Sequence, residues 1–98
     1  MMWDWGISEA VIREITEIAK RNQIQEIILF GSRARGDYNR TSDIDLAVTG
    51  GNISGFAVSI EEETSTLLEY DIVDLDKPVS EELLKSIRDE GKILYEKT

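Results

Sequence analysis

The run from Gly31 to Leu46, GSRARGDYNRTSDIDL, constrains this chain more than any other stretch, because strand-like segments bracket it and the backbone must turn between them. Ahead of it lies the apolar Ile27-Ile28-Leu29-Phe30, and its end opens the alternating Asp43-Ile44-Asp45-Leu46-Ala47-Val48. Successive side chains of a strand point to opposite faces, so Asp43 and Asp45 share one face while Ile44, Leu46 and Val48 share the other. One face is set to bind and the other to pack. Held roughly 5–6 Å apart, the two carboxylates repel by about 3 kcal/mol at an effective dielectric near 20, a cost that a divalent cation reverses. The chain has no His and no Cys. Its available ligands are therefore hard oxygens, which suit Mg²⁺ or Mn²⁺ over zinc, and Mg²⁺ takes one or two carboxylates together with substrate phosphate oxygens. Alone, an Asp-x-Asp pair is better read as solvated charge on an edge strand.

The preceding turn changes that balance. A Gly-Ser directly after an apolar strand lets the backbone approach a ligand closely and offers amide N–H groups and a hydroxyl to phosphate oxygens. Residues Ser32 to Arg35 fit a short helical turn whose start faces that anion, with Arg33 and Arg35 supplying forked donors for phosphate. Three of the 11 basic residues, Arg33, Arg35 and Arg40, fall within eight positions of a chain that carries 20 acidic ones. A local basic cluster on an acidic background points to a specific anion. The implied substrate is a nucleoside triphosphate or a similar polyphosphate, with a metal site beside it. No Gly-Lys-Ser/Thr follows Gly31, which disfavours a P-loop NTPase.

Gly31-Ser32, ten intervening residues and then Asp43-x-Asp45 resembles the signature of the DNA polymerase β-like nucleotidyltransferase superfamily. Within it, the chain's size and its GSRARG and SDIDL segments are similar to the minimal nucleotidyltransferase (MNT) domain proteins of prokaryotes. The resemblance implies an α/β (α+β) fold with a small mixed sheet and helices packed mainly on one face, the palm fold of that superfamily. It also implies a third carboxylate on a neighbouring strand, within Glu69-Tyr70-Asp71-Ile72-Val73-Asp74-Leu75-Asp76. Asp71 and Asp74 differ by an odd number and face opposite sides of a regular strand, so only one can join. Asp71 is favoured, because Tyr70 and Ile72 then lie on the packed face; Asp74 is the alternative.

The chemistry so implied is nucleotidyl transfer. Asp43, Asp45 and Asp71 hold two metals that clamp the triphosphate and stabilise departing pyrophosphate, while Gly31, Ser32, Arg33 and Arg35 position the phosphates. The third carboxylate is also placed to take the acceptor proton. MNT proteins are commonly encoded beside a HEPN-domain protein, as a toxin and antitoxin in which the transferase adenylylates a tyrosine of the toxin. The resemblance therefore implies an ATP-dependent protein adenylyltransferase antitoxin with a HEPN-domain toxin as partner. Two rivals are a transferase acting on a small molecule such as an aminoglycoside, and a binding module that neutralises its partner by contact alone.

The rest of the chain bounds these readings. Its 98 residues form one domain, 1–98, able to bury about 60–70% of its unfolded surface. Such a chain is not expected to accommodate the second domain of larger superfamily members, so base choice and acceptor should come from a partner or a second copy, in a homo- or hetero-oligomer. A net charge of −9 argues against direct nucleic-acid binding, which needs a basic surface to release counterions. No stretch approaches the roughly 20 apolar residues of a membrane span, and no signal peptide precedes the first helix, so a cytoplasmic protein is expected.

Helical period appears over Ile7 to Arg21, with Ile7, Val11, Ile15 and Ile18 apolar, Ala10 and Ala19 filling in and Ser8 as N-cap. The strand Gln25 to Phe30 leads into the signature, a polar, mobile loop with Gly36, Asp37 and Asn39 follows, and Asp43 to Thr49 forms the next strand. After Gly50-Gly51-Asn52, the spacing of Ile53, Phe56, Ala57, Ile60, Thr64, Leu67 and Leu68 predicts a helix over Ile53 to Leu68. Ser80 caps a last helix with Leu83, Leu84 and Ile87 as its buried stripe, and Gly91 ends it. The apolar Ile93-Leu94-Tyr95 is expected to dock back on the domain, and Trp3 and Trp5 to pack on the first helix, with a partner surface as the alternative for each.

Overall fold

The computed structural model describes residues 5–98. Ser8 accepts a hydrogen bond from the Val11 N–H and opens helix α1 (Glu9–Arg21), whose last turn carries Lys20 and Arg21 where the helix dipole favours cations. Strand β1 (Glu26–Phe30) follows, then a short helix α2 (Gly31–Arg35), strand β2 (Ile44–Thr49), helix α3 (Ile53–Glu63), strand β3 (Tyr70–Asp74), helix α4 (Glu81–Glu90) and strand β4 (Lys92–Glu96). The strands form one mixed sheet in the order β3-β2-β1-β4. β1 pairs antiparallel with β2 and β4, whereas β2 and β3 run parallel, joined by the crossover through α3. The Ile93-Leu94-Tyr95 segment thus docks as a sheet strand. No helix among the described residues is long and apolar enough to cross a membrane.

Strand alternation gives the sheet two unlike faces. Ile27, Leu29, Ile44, Leu46 and Val48 point into the larger core with Ile7, Val11, Ile15 and Ile18 of the first helical segment and Ile53, Phe56 and Ile60 of α3. Burying each such side chain stabilises the fold by about 1.5–3 kcal/mol. Tyr70 and Ile72 pack against this core, as does Trp5; Trp3 lies outside the described residues. Within α1, Ala10 turns to solvent and Ile12 is buried instead. Among the described residues, the other face carries only Phe30, Ala47 and Ile87 as a buried cluster, with Ile28, Val73, Leu75 and Leu83 against them. Helix α4, capped by Ser80, covers it in part.

Two expectations need correction. Helix α3 stops at Glu63, not at Leu68. Glu61, Glu62 and Glu63 crowd negative charge at the helix end that already carries the negative pole of the dipole. Beyond it the side chains of Thr64, Ser65 and Thr66 satisfy groups locally: Thr64 Oγ1 donates to the Ile60 carbonyl at 2.6 Å, and Thr66 Oγ1 accepts from the Leu68 N–H at 3.1 Å. The Ser65 N–H donates to Glu14 at 2.8 Å, which draws the segment onto α1. Leu67 is left fully exposed. The second correction concerns the polar loop after α2, which is tied down: Asn39 Oδ1 accepts from the Thr41 N–H, Ser42 Oγ accepts from the Asn39 N–H, and Arg33 holds it from below.

The end of α3 yields a measurable contrast. Phe56→Ala, at a fully buried site, is expected to cost about 3–5 kcal/mol in urea unfolding. Leu67→Ser is expected to stay within about 0.5 kcal/mol of the parent. A cost for Leu67→Ser near that of Phe56→Ala would mean that the helix runs on and buries Leu67.

Candidate active site

The geometry of the site follows from strand register. Phe30, the last residue of β1, is the partner of Asp45 in β2, and Asp45 is in turn the partner of Asp71 in β3. Gly31, one step beyond Phe30, therefore turns directly beside the Asp45 side chain. Its φ of +76° is a conformation that other residues rarely adopt, and a Cβ at this position would collide with the Asp45 carboxylate. Only glycine lets the turn come this close. Ser32 follows in α2, whose N-cap position is held by Phe30, a residue without a side-chain acceptor, so no side chain caps the leading amides of the helix.

Asp43 sits one residue ahead of β2 and is exposed, Asp45 is half-buried and Asp71 is exposed. Asp45 and Asp71 project from the sheet face that α4 covers only in part, because their neighbours Ile44, Leu46, Tyr70 and Ile72 face the larger core. Burial pushes the Asp45 carboxyl above the ordinary carboxylate range, and the negative charges of Asp71 and then Asp43 push it further; Arg35 and Arg33 oppose the rise. Among the described residues, none of the three carboxylates has a hydrogen bond or ion pair. They crowd one another, with Arg35 and Arg33 offsetting part of the repulsion from a distance but forming no direct ion pair with them. They are not drawn into a closed ligand set either: no group of three His, Cys, Asp or Glu side chains among the described residues is arranged to hold a metal ion.

Asp74 lies elsewhere. It pairs in register with Val48 near the far end of β2, accepts a hydrogen bond from the Asp76 N–H at 2.9 Å and approaches Lys77 at 4.0 Å. Of the two acidic candidates on β3, Asp71 is the one beside Asp45.

The two arginines of the turn part company. Arg35 is exposed and reaches Asp37 at 3.2 Å and Glu90 of α4 at 3.1 Å, and these hydrogen bonds, Asp37's first, raise its already high pKa. It stands close enough to Asp45 to act on its charge. Arg33, expected to bind phosphate, points the other way and is 1% exposed. Its Nε donates to the Ser42 carbonyl at 3.0 Å, Nη1 to the Trp5 and Gly6 carbonyls at 3.0 and 3.1 Å, and Nη2 to the Ser42 and Arg40 carbonyls at 2.9 and 3.4 Å. Its guanidinium carbon lies 4.9 Å from the Tyr38 ring centroid. All five N–H groups are spent on backbone carbonyls, so none is free for a phosphate. No sequence pattern announces carbonyl ligation, although an aromatic residue a few positions along, Tyr38, is a hint of a stacked cation. Glu90 and Asp37, the partners of Arg35, also escaped the sequence reading.

A family model described as "Polymerase beta, Nucleotidyltransferase" matches residues 13–98. A protein of Methanocaldococcus jannaschii named "Putative protein adenylyltransferase MJ0604" is 37% identical over 99 residues, covering 89% of this chain and 97% of its own. Among solved structures, a crystal structure of a toxin–antitoxin with AMP-PNP matches with a TM-score of 0.65 at 29% identity, over 88% of this chain and 73% of that one. A variant of the toxin–antitoxin MntA–HpeT matches with a TM-score of 0.64 at 27% identity, over 88% and 73% of the two chains.

The crowding at Asp45 makes a prediction about metal-free protein. A carboxyl whose folded pKa is raised favours the fold only while it is protonated, so its contribution is lost as pH rises through the raised value. At pH 7 the ionised Asp45 works against folding. Asp45→Asn, measured in EDTA, is therefore expected to melt above the parent at pH 7. The gap should narrow as pH falls and close below about 3, where the unfolded parent is protonated at this site as well as the folded one. A variant that melts below the parent at pH 7 would contradict the crowding.

Proposed function

This chain belongs to the polymerase beta nucleotidyltransferase family and is a nucleotidyltransferase; on that premise we propose that it moves AMP from ATP to a tyrosine hydroxyl of a HEPN-domain toxin, acting in the cytoplasm as the antitoxin. The observation that carries the reading is the row of Gly31, Asp45 and Asp71 across three adjoining strand ends, where a glycine-only turn meets crowded carboxylates. A similarity to toxin–antitoxin structures and to a protein named as an adenylyltransferase supports the choice of a protein acceptor. The exposure of Asp43 and Asp71 suits an acceptor that arrives as part of a macromolecule.

The donor set fits Mg²⁺ or Mn²⁺. Asp43, Asp45 and Asp71 offer hard oxygens with no protein donor attached, and their mutual repulsion falls when a cation is held between them. A closed cage is not required, since Mg²⁺ binds through one or two carboxylates and completes its shell with water and substrate phosphate. Bound there, the metal would polarise the phosphate oxygens and offset charge as pyrophosphate departs.

The chain's own groups do the rest. The turn at Gly31 and the Ser32 hydroxyl would receive the triphosphate tail, and Arg35 would swing from Asp37 and Glu90 to hold it. The acceptor oxygen forms a bond to the α-phosphorus as the bond to the bridging oxygen breaks and pyrophosphate leaves. Asp71, exposed beside Asp45, would take the acceptor proton.

The test is intact-mass spectrometry of a HEPN-domain protein encoded beside this chain, after incubation with it, ATP and Mg²⁺. A gain of one or more AMP units is expected, falling by about 100-fold or more in rate with Asp43→Asn or Asp45→Asn and vanishing in EDTA. A complex that forms and inactivates the toxin without any mass gain would replace this reading with neutralisation by contact.

A further inference from the structure

Among the charged side chains of the family signature that the proposed chemistry leaves unused, Arg33 is buried, and it is the largest fully buried side chain among the described residues. Arg33 sits within the phosphate-facing turn: its backbone belongs to α2, two residues from Gly31. Its guanidinium, however, reaches the far side of the loop and takes two hydrogen bonds to the carbonyl of Ser42, the residue directly ahead of Asp43. A third goes to Arg40, and the remaining two go to Trp5 and Gly6, ahead of α1. Tyr38 lies over the guanidinium, and a Cβ on Gly6 would collide with the same ring, so ring, cation and N-terminal segment are packed as one unit.

One rigid side chain therefore spans the two halves of the site. On one side it shares a helical turn with Gly31 and Ser32; on the other it grips the peptide that leads into Asp43. The planar fork fixes direction as well as distance, which a flexible ammonium with three donors cannot reproduce. We infer that Arg33 is a positioning residue that holds the phosphate-facing turn in register with the Asp43–Asp45 edge, so that a triphosphate and a divalent cation bind as one unit. This rests on the reading of Asp43, Asp45 and Asp71 as the metal-holding edge. It differs from the role that the signature suggests for this arginine, because all five of its N–H groups are already held by backbone carbonyls.

The two roles separate in a binding experiment that needs no acceptor. The full chain is titrated calorimetrically with a non-hydrolysable ATP analogue, once with Mg²⁺ and once in EDTA, for the parent, Arg33→Lys and Tyr38→Leu, with hydrogen exchange of α1 and β1 amides as the check on folding. In Arg33→Lys, affinity in EDTA is expected to stay within about threefold of the parent, while the gain conferred by Mg²⁺ shrinks roughly tenfold, a size typical of lost coupling between two sites. Tyr38→Leu, which keeps the cation and removes the ring above it, is expected to shift the same way by less, and it decides the matter if Arg33→Lys fails to fold. A loss of affinity in EDTA would make Arg33 a phosphate ligand and overturn the inference. A Mg²⁺ gain equal to the parent's would reduce it to a structural residue with no hold on the site. A parent that gains nothing from Mg²⁺ would overturn the metal reading and this inference together.

Discussion

A guanidinium enclosed by protein and satisfied entirely by backbone carbonyls is the interaction on which this small fold turns. An unpaired charge taken out of water costs several kcal/mol. Arg33 avoids that cost by collecting the partial negative charge of four carbonyl oxygens and the face of Tyr38. The exchange works in both directions. Residues 5–6 and 40–42 run outside regular structure, and their carbonyls, if left without donors in the interior, would each carry a desolvation penalty of about 1–3 kcal/mol. One side chain thus closes two irregular segments at once and ties them to the turn that follows β1.

The unequal faces of the sheet explain why a site can exist on a domain of this size. The face under α1 and α3 holds most of the buried apolar residues, which frees the opposite face from a full load of packing. There α4 seals only the part around Phe30, Ala47 and Ile87, and the leading ends of β2 and β3 stay open. Alternation along the strand then places Asp45 and Asp71 on the open side while Ile44, Leu46, Tyr70 and Ile72 anchor them from behind. One layer carries most of the apolar burial and the other carries the proposed site.

Much of this was legible in the residues, for reasons that can be named. Ser8 and Ser80 announced helix starts because a hydroxyl placed to accept an orphan N–H is a local device, and alternation at Asp43 to Val48 announced a two-faced strand. The spacing from Gly31-Ser32 to Asp43-x-Asp45 carried the family. The end of α3 was not legible from apolar spacing, since Leu67 and Leu68 continue the period while dipole, glutamates and hydroxyl side chains oppose it. Arg33 was misread for a deeper reason. Sequence gives an arginine its charge but not its direction, and the groups that claimed it are backbone carbonyls from segments up to 28 residues away, which have no letter of their own. Which acid on β3 lies beside Asp45 followed from parity along the strand, but its nearness depended on a parallel register that only the fold supplies.

The parallel pairing of β2 with β3 also bears on when the site comes into being. β1 and β2 are antiparallel neighbours joined by a short stretch, so Gly31, Ser32, Asp43 and Asp45 come together through contacts close in sequence. Asp71 arrives only after the chain has passed through α3 and laid β3 alongside, a closure over a longer loop that is slower to form. A nascent chain halted before residue 70 would bear the entire recognition signature and still lack the outer carboxylate. Completion of the acidic edge is in this sense a report that the crossover has folded.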